Sequence, residues 1–284
     1  GPGPALAQGR AAIAAGKPTG QGIDSAAKAF GELVLGLSAA LGRMEDKGVP
    51  IAFAQVARYA DPQNSAAAIL LALLLEDDGR VTDALDVLRS IDERDPFANQ
   101  AEDAEIRMLI GSDRKAEALR RAQEIVAARP GPDAFARLAT VHIEMDQFGP
   151  AAAVYAQAIA AAARAPSSDE MWMLRLYRAG ALEDAGRWEE AKSELQLALA
   201  ERPDNPLLLN FLGYGKLERG EDLDAAEAMI RKASALRPDD ASITDSLGWA
   251  EFKRGRLAEA IATLQRAAAA DPSQAEIQEH LGDA

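Results

Sequence analysis

Prolines and glycines recur along the C-terminal part of this sequence on one beat. Pro203, Pro238 and Pro272 are 35 and 34 residues apart, and Gly213, Gly248 and Gly282 repeat the same two steps. A fixed period near 34 residues means one supersecondary unit stacked on copies of itself, each covering the apolar face its neighbour leaves open. No other feature limits the possible folds as strongly. It predicts an array built from local contacts rather than a globule around one core.

Residues 241–274 show the unit most clearly. Leu247 and Gly248 lie in a first helix, and Gly255 punctuates a tight turn, where a positive φ costs glycine little. Ala260, Leu264 and Ala267 follow at steps of 4 and 3, one face of a second helix, and Pro272 ends it. Small residues at Gly248 and Ala260 predict two antiparallel helices in close approach. The chain is 48% apolar but only 5% aromatic, and visibly alanine-rich, which favours packed helices over a sandwich or barrel.

The pattern returns upstream. Gly79, Ala84, Leu88, Ile91 and Pro96 form one set; Ala118, Ala122, Ile125 and Pro130 form the next, with a weaker turn at 111–115. Ala139, Phe148, Ala151, Tyr155 and Ala158 mark a third, whose second helix is expected to run to Pro166. Then come Gly186, Trp188, Ala191, Leu195, Ala198 and Pro203, followed by Gly220, Ala226, Ile230, Ala233 and Pro238 with one extra turn residue. The first copy is atypical: Pro50 stands where a small alanine is expected, although Ala54, Ala57 and Pro62 keep register. An apolar-periodic helix from about Asp24 to Met44 precedes it, with Asp24 or Ser25 as its cap.

These residues resemble the tetratricopeptide repeat. The resemblance implies an all-α solenoid, a right-handed superhelix of antiparallel helix pairs. Residues 23–284 then form an array of about seven repeats, truncated in an eighth because 275–284 supply only most of a first helix. Self-association through an exposed solenoid end is expected from such a truncation. Residues 1–22, opening Gly1-Pro2-Gly3-Pro4, read as a flexible leader or tag remnant, so a native targeting segment would have been left out.

Composition closes several function classes. The sequence has no cysteine, which excludes disulfide scaffolds, thiolate metal sites and cysteine nucleophiles. Lys and Arg number 31 against 45 Asp and Glu, a net charge of −14 with no basic stripe, which argues against nucleic acid. The longest apolar run, Ala66 to Leu75, falls short of the ~18 residues of a membrane span. No P-loop, GxSxG or HExxH motif occurs. No catalytic residue, metal site or cofactor is therefore expected. His142 reads as packed core and His280, beside Glu276 and Glu279, as solvated surface. The carboxylate pairs Glu189-Glu190 and Asp239-Asp240 suit helix starts.

In the family the first helices line a concave face. The resemblance places Leu207, Asn210, Phe211 and Tyr214 there, then Ser242, Asp245, Ser246 and Trp249, then Glu276, Glu279, His280 and Asp283. Met173, Leu176 and Tyr177 precede them, and before those Arg137 and Thr140. Tyr214 and Trp249 each follow the repeat glycine and are the leading candidates to grip a protein or peptide, since Trp and Tyr are enriched at hot spots. Alternatively, both fill space between repeats. Asn210 and Asp245 sit one turn before them, placed to hydrogen-bond a bound backbone. Asn210, Asp245 and Glu279 stand where some family members carry a basic carboxylate clamp, so a basic or mixed partner is expected rather than an acidic tail.

The runs LNFLGY, DSLGW and HLG at successive repeats are similar to exported bacterial tetratricopeptide repeat proteins and lipoproteins. That similarity, covering Leu209 to Ala284, implies a non-catalytic adaptor in the periplasm or envelope, recruiting a processing protease or cell-wall hydrolase. A cytoplasmic assembly or chaperone module, or the binding part of a longer chain with an enzyme domain elsewhere, are the alternatives.

Overall fold

The computed structural model describes residues 25–164 and 171–284. The leader, Asp24 and Pro166 lie outside the described residues. Fifteen helices and no strand occur among them. The chain divides at Asp146/Gln147 into two compact units.

The first unit holds α1 (Ala26–Leu41), α2 (Gly48–Ala60), α3 (Ser65–Asp77), α4 (Val81–Arg89), α5 (Ala98–Gly111), α6 (Lys115–Ala128) and α7 (Pro132–Glu144). Helices pair as α1 with α2, α3 with α4 and α5 with α6, and α7 lies against α5 and α6. The second unit holds α8 (Phe148–Ala162), α9 (Met171–Asp184), α10 (Trp188–Glu201), α11 (Pro206–Glu218), α12 (Leu223–Leu236), α13 (Ala241–Lys253), α14 (Leu257–Ala270) and α15 (Ala275–Asp283). Here α9 packs on α8 and pairs with α10, α11 pairs with α12 and α13 with α14, while α15 rests on α13 and α14.

The prolines stop the second helices by a shared device. Asp61, Arg129, Arg202, Arg237 and Asp271 each precede a proline, and each leaves its helix at φ between −135° and −140° and ψ between 72° and 90°. The proline ring forbids the α region to its predecessor, so the chain turns out there. At the hairpin turns Gly79, Gly186, Gly220 and Gly255 take φ between 67° and 78°. Asp113 and Asp146, at φ 60° and 56°, occupy the same left-handed place without being glycine. The extra residue after Gly220 is used by Asp222, which caps α12 by accepting from the Ala225 amide.

Close approach explains the small residues. A Cβ on Gly248 would lie 2.6 Å from Leu264 Cγ and 3.2 Å from the Leu264 amide nitrogen. One on Gly213 would lie 2.8 Å from Ile230 Cγ1. Across from these glycines the second helices present Ala260, Leu264 and Ala267, and Ala226, Ile230 and Ala233, all wholly buried. Pro50 fits because it is the third residue of α2, where a helix has no partner for its N–H. Its carbonyl accepts from Ser38 Oγ of α1 at 2.8 Å.

Two sequence expectations are corrected here. α1 ends at Leu41, with Gly42 as cap, rather than at Met44. α4 stops at Arg89, so Ile91 falls in a turn instead of on a helix face. Ser90 Oγ donates to the Val87 carbonyl at 2.6 Å, and Asp92 and Asp95 accept from the amides of Arg94 and Phe97, both at 2.8 Å. Such short polar side chains offer the backbone an alternative to the next helical turn.

Buried carboxylates tie neighbouring helices. Glu105, only 2% exposed, accepts from Arg89 Nε at 2.6 Å and Arg121 Nε at 2.8 Å. Glu194 is held between Arg175 and Arg178, and Glu251 accepts from Thr263 Oγ1 at 2.8 Å. No helix among the described residues is long and apolar enough to cross a membrane.

Candidate functional site

Helices α11, α13 and α15 are successive first helices of the second unit, each in contact with the next. Leu207, Asn210, Phe211 and Tyr214 recur on α11 at steps of 3, 1 and 3, which puts them on one helical face. The period carries that face to Ser242, Asp245 and Ser246 on α13. Together with Gln274 and Glu276 these residues line a cleft of about 210 Å³.

Polar contacts span the cleft walls. Tyr214 Oη donates to Glu276 Oε1 at 3.0 Å, a link across two repeats. Ser242 Oγ donates to Gln274 Oε1 at 3.1 Å. Asp245 Oδ2 lies 2.8 Å from His280 Nδ1. Burial first, then the charge of Glu276 and its hydrogen bond, push the Tyr214 phenol far above its usual pKa, so it stays a donor. At His280 burial disfavours the imidazolium. The hydrogen bond that the ring donates to Asp245 and the charges of Asp245, Glu276 and Glu218 outweigh that, and its pKa lies above the ordinary histidine value. Two acceptors in the lining have no donor: Asn210 Oδ1 and Asp245 Oδ1 are both buried and without a hydrogen bond.

The aromatic residues behind the cleft form a stack. The His280 ring lies 4.1 Å from the Trp249 ring at 13°, and Phe252 covers Trp249 at 4.9 Å and 18°. Trp249 Nε1 donates to Glu218 at 2.6 Å, and the Lys253 ammonium sits 4.8 Å over the indole. Trp249 is therefore 8% exposed and belongs to a cluster with Leu217, Ala226, Ile230, Leu247 and Ala250.

The tetratricopeptide repeat family matches residues 52–99, 136–206 and 216–275, well over half of the sequence. The chain belongs to the tetratricopeptide repeat family. Among solved structures it is similar to a tetratricopeptide repeat protein from Parabacteroides merdae ATCC 43184, with TM-score 0.61 and 14% identity over 89% of this chain and 98% of that one. That likeness is one of fold. MamA aligns at TM-score 0.48 and 17% identity over 59% of this chain and 95% of its own. PilW, a widely conserved type IV pilus biogenesis factor, aligns at 0.47 and 17% over 88% and 98%. No curated protein matches the sequence significantly.

Of the tetratricopeptide repeat residues expected to bind a partner, Leu207, Asn210, Phe211, Tyr214 and Asp245 come together in one cleft. Tyr177 and Met173 do not join them. They lie on α9, where Tyr177, half exposed, meets the Tyr155 ring at 6.0 Å. Trp249, read either as facing the groove or as filling space between repeats, is packed, because α15 lays His280 on its face. His280 itself was expected on the surface and is buried, 7% exposed. Arg137, expected on the inner face of the first unit, is buried between Glu102 and Asp103. Gln274 was not anticipated in the cleft. A step of 34 from Asp240 and 69 from Asn205 puts it at the helix-capping position of its repeat, the signal that marks it.

Proposed function

We propose that this chain is a non-catalytic protein–protein interaction scaffold that holds an extended polypeptide segment in the cleft between α11, α13 and α15. One observation carries the reading: a preformed cleft, with the half-exposed Leu207 in its lining, keeps two buried acceptors without donors. An extended segment supplies both an apolar contact and N–H donors. Membership of the tetratricopeptide repeat family supports the scaffold role. The similarity of LNFLGY, DSLGW and HLG to exported proteins supports a periplasmic or envelope location and the recruitment of a processing protease or cell-wall hydrolase.

A photo-crosslinking residue placed at Leu207 in cells tests the site. Leu257, more exposed but on a second helix away from the cleft, serves as the control. Specific polypeptide adducts at position 207 and none at 257 are expected. Equal labelling, or none at 207, would move the site elsewhere. Release of the protein on spheroplasting tests the location.

A further inference from the structure

Five buried side-chain atoms among the described residues have no hydrogen-bond partner: Glu102 Oε2, Arg178 Nε, Asn210 Oδ1, Asp245 Oδ1 and Arg256 Nε. One of these faces a counter-charge directly, and two are arginine nitrogens, which are donors. Glu102 Oε2 lies 3.0 Å from Arg137, and Arg178 and Arg256 reach Glu194 and Glu227 through another nitrogen. The remaining two are both acceptors. They occupy the same repeat position, 35 residues apart on neighbouring helices, and both residues line the one cleft.

Asp245 is 4% exposed, and its Oδ2 already holds His280. Leaving the other oxygen of a buried carboxylate without a donor is unfavourable, the more so when the group is charged. A cationic donor recovers more of that than a neutral amide does, because charge-assisted hydrogen bonds are roughly twice as strong. The rest of the lining fits the same donor. Glu276 adds a second carboxylate, and no lysine or arginine among the described residues lines the cleft. An anionic ligand would meet two carboxylates and the −14 charge of the chain.

We infer that the cleft receives one basic side chain of the bound segment, a lysine ammonium or an arginine guanidinium, with Asp245 Oδ1 and Asn210 Oδ1 as its acceptors and Glu276 as the second carboxylate. This rests on the proposal that the cleft holds a polypeptide. Asp245 has two roles in it. Its Oδ2 fixes α15 through His280, and its Oδ1 meets the ligand, so the wall of the site and the docking of the last helix share one residue.

The test uses peptides selected on the full chain from a random 12-residue library, measured by fluorescence anisotropy. Each selected peptide is remade with its lysine or arginine replaced by norleucine. The inference expects a basic residue in the binders, and a loss of at least tenfold for its norleucine version. In Asn210→Ala and Asp245→Asn the original peptides bind more weakly, and the norleucine version loses less than threefold against them. Asn210→Ala leaves the His280 contact intact and guards against a folding defect in Asp245→Asn, and circular dichroism checks both. Binders without a basic residue, or an unchanged norleucine penalty in both variants, overturn the inference and leave the polypeptide reading standing. Failure to select any peptide overturns both.

Discussion

His280 of α15 and Asp245 of α13 share a buried contact of 2.8 Å, and the same imidazole lies flat on Trp249 at 4.1 Å. One side chain thus closes the end of the second unit by an ion pair and by ring stacking. Asp245 and Trp249 are four residues apart on α13, so a single helical turn presents both partners to the incoming helix.

A pH dependence follows from this pair. The folded-state pKa of His280 is raised above its unfolded value, so folding favours the protonated form. The stabilisation is fully present below the unfolded value of about 6.5 and is lost as pH rises through the folded-state pKa. Groups facing the ring are Asp245 on α13, Glu218 and Tyr214 on α11, and Glu276 on its own helix. Urea unfolding followed by tryptophan fluorescence is expected to show a midpoint that falls as pH rises above about 6.5. His280→Phe, which keeps the stacking surface, removes this part of the dependence. An identical slope in the variant would deny the pair its role.

Trp249 is structural in this arrangement, and its removal is expected to destabilise. Trp249→Ala deletes the centre of a buried stack and leaves Glu218 without its indole donor. A loss of about 3–5 kcal/mol is expected from urea unfolding, in line with large-to-small core substitutions. Asn210→Ala removes a side chain that makes no hydrogen bond through its buried oxygen, and stability is expected to change by less than about 0.5 kcal/mol. The two variants together separate the frame of the cleft from its contact surface.

The fold was legible because the repeat writes itself in glycine and proline, whose backbone constraints act locally. Pro203, Pro238 and Pro272 end helices as their rings require, and Gly255 turns with positive φ as expected. Asp113 and Asp146 stand where other copies have the turn glycine, so the turn at 111–115 read as a weaker one, because aspartate tolerates the left-handed region without announcing it. The cleft lining was legible except for Gln274, because the family register at steps of 3, 4 and 35 carries Leu207, Asn210 and Phe211 to Ser242, Asp245 and Ser246 on the adjoining helix. Trp249 stayed open between the groove and the packing of repeats because its exposure depends on what the next repeat lays over it. Nothing within α13 records that His280 arrives from 31 residues further on. Glu105 was invisible too, since a carboxylate on a helix reads as solvent-facing until arginines from two other helices reach it.

Glycines of the first helices are expected to respond in opposite directions. Gly248→Ala places a Cβ against Leu264 at a point where the Leu264 backbone is also close, so the helix pair must spread. A loss of about 1–3 kcal/mol is expected from such overpacking. Gly36 lies inside α1 with nothing within 4 Å of a Cβ, so Gly36→Ala gains helix propensity without a clash. Its expected gain is about 0.5–1 kcal/mol. Chemical unfolding of both single variants measures the two signs, and a gain at Gly248 would contradict the close-approach argument.

The buried carboxylate at Glu105 predicts an asymmetry between its own removal and that of its partners. Glu105 is enclosed in α5, while Arg89 and Arg121 are about one-third exposed. In Glu105→Leu both guanidiniums can turn to water, and Arg89 keeps Glu117 at 3.0 Å. The expected change is small, within about 1 kcal/mol, because a buried ion pair replaced by an apolar side chain is often close to neutral. In the double variant Arg89→Ala with Arg121→Ala the carboxylate stays inside with no counter-charge. The expected loss there is about 3–5 kcal/mol. Salt does not rescue it, since buried charges are poorly screened. Guanidinium-free unfolding in urea, at low and high sodium chloride, measures both. Equal losses in the two variants would mean that Glu105 is solvated in solution and that the α4–α5–α6 tie is a surface contact.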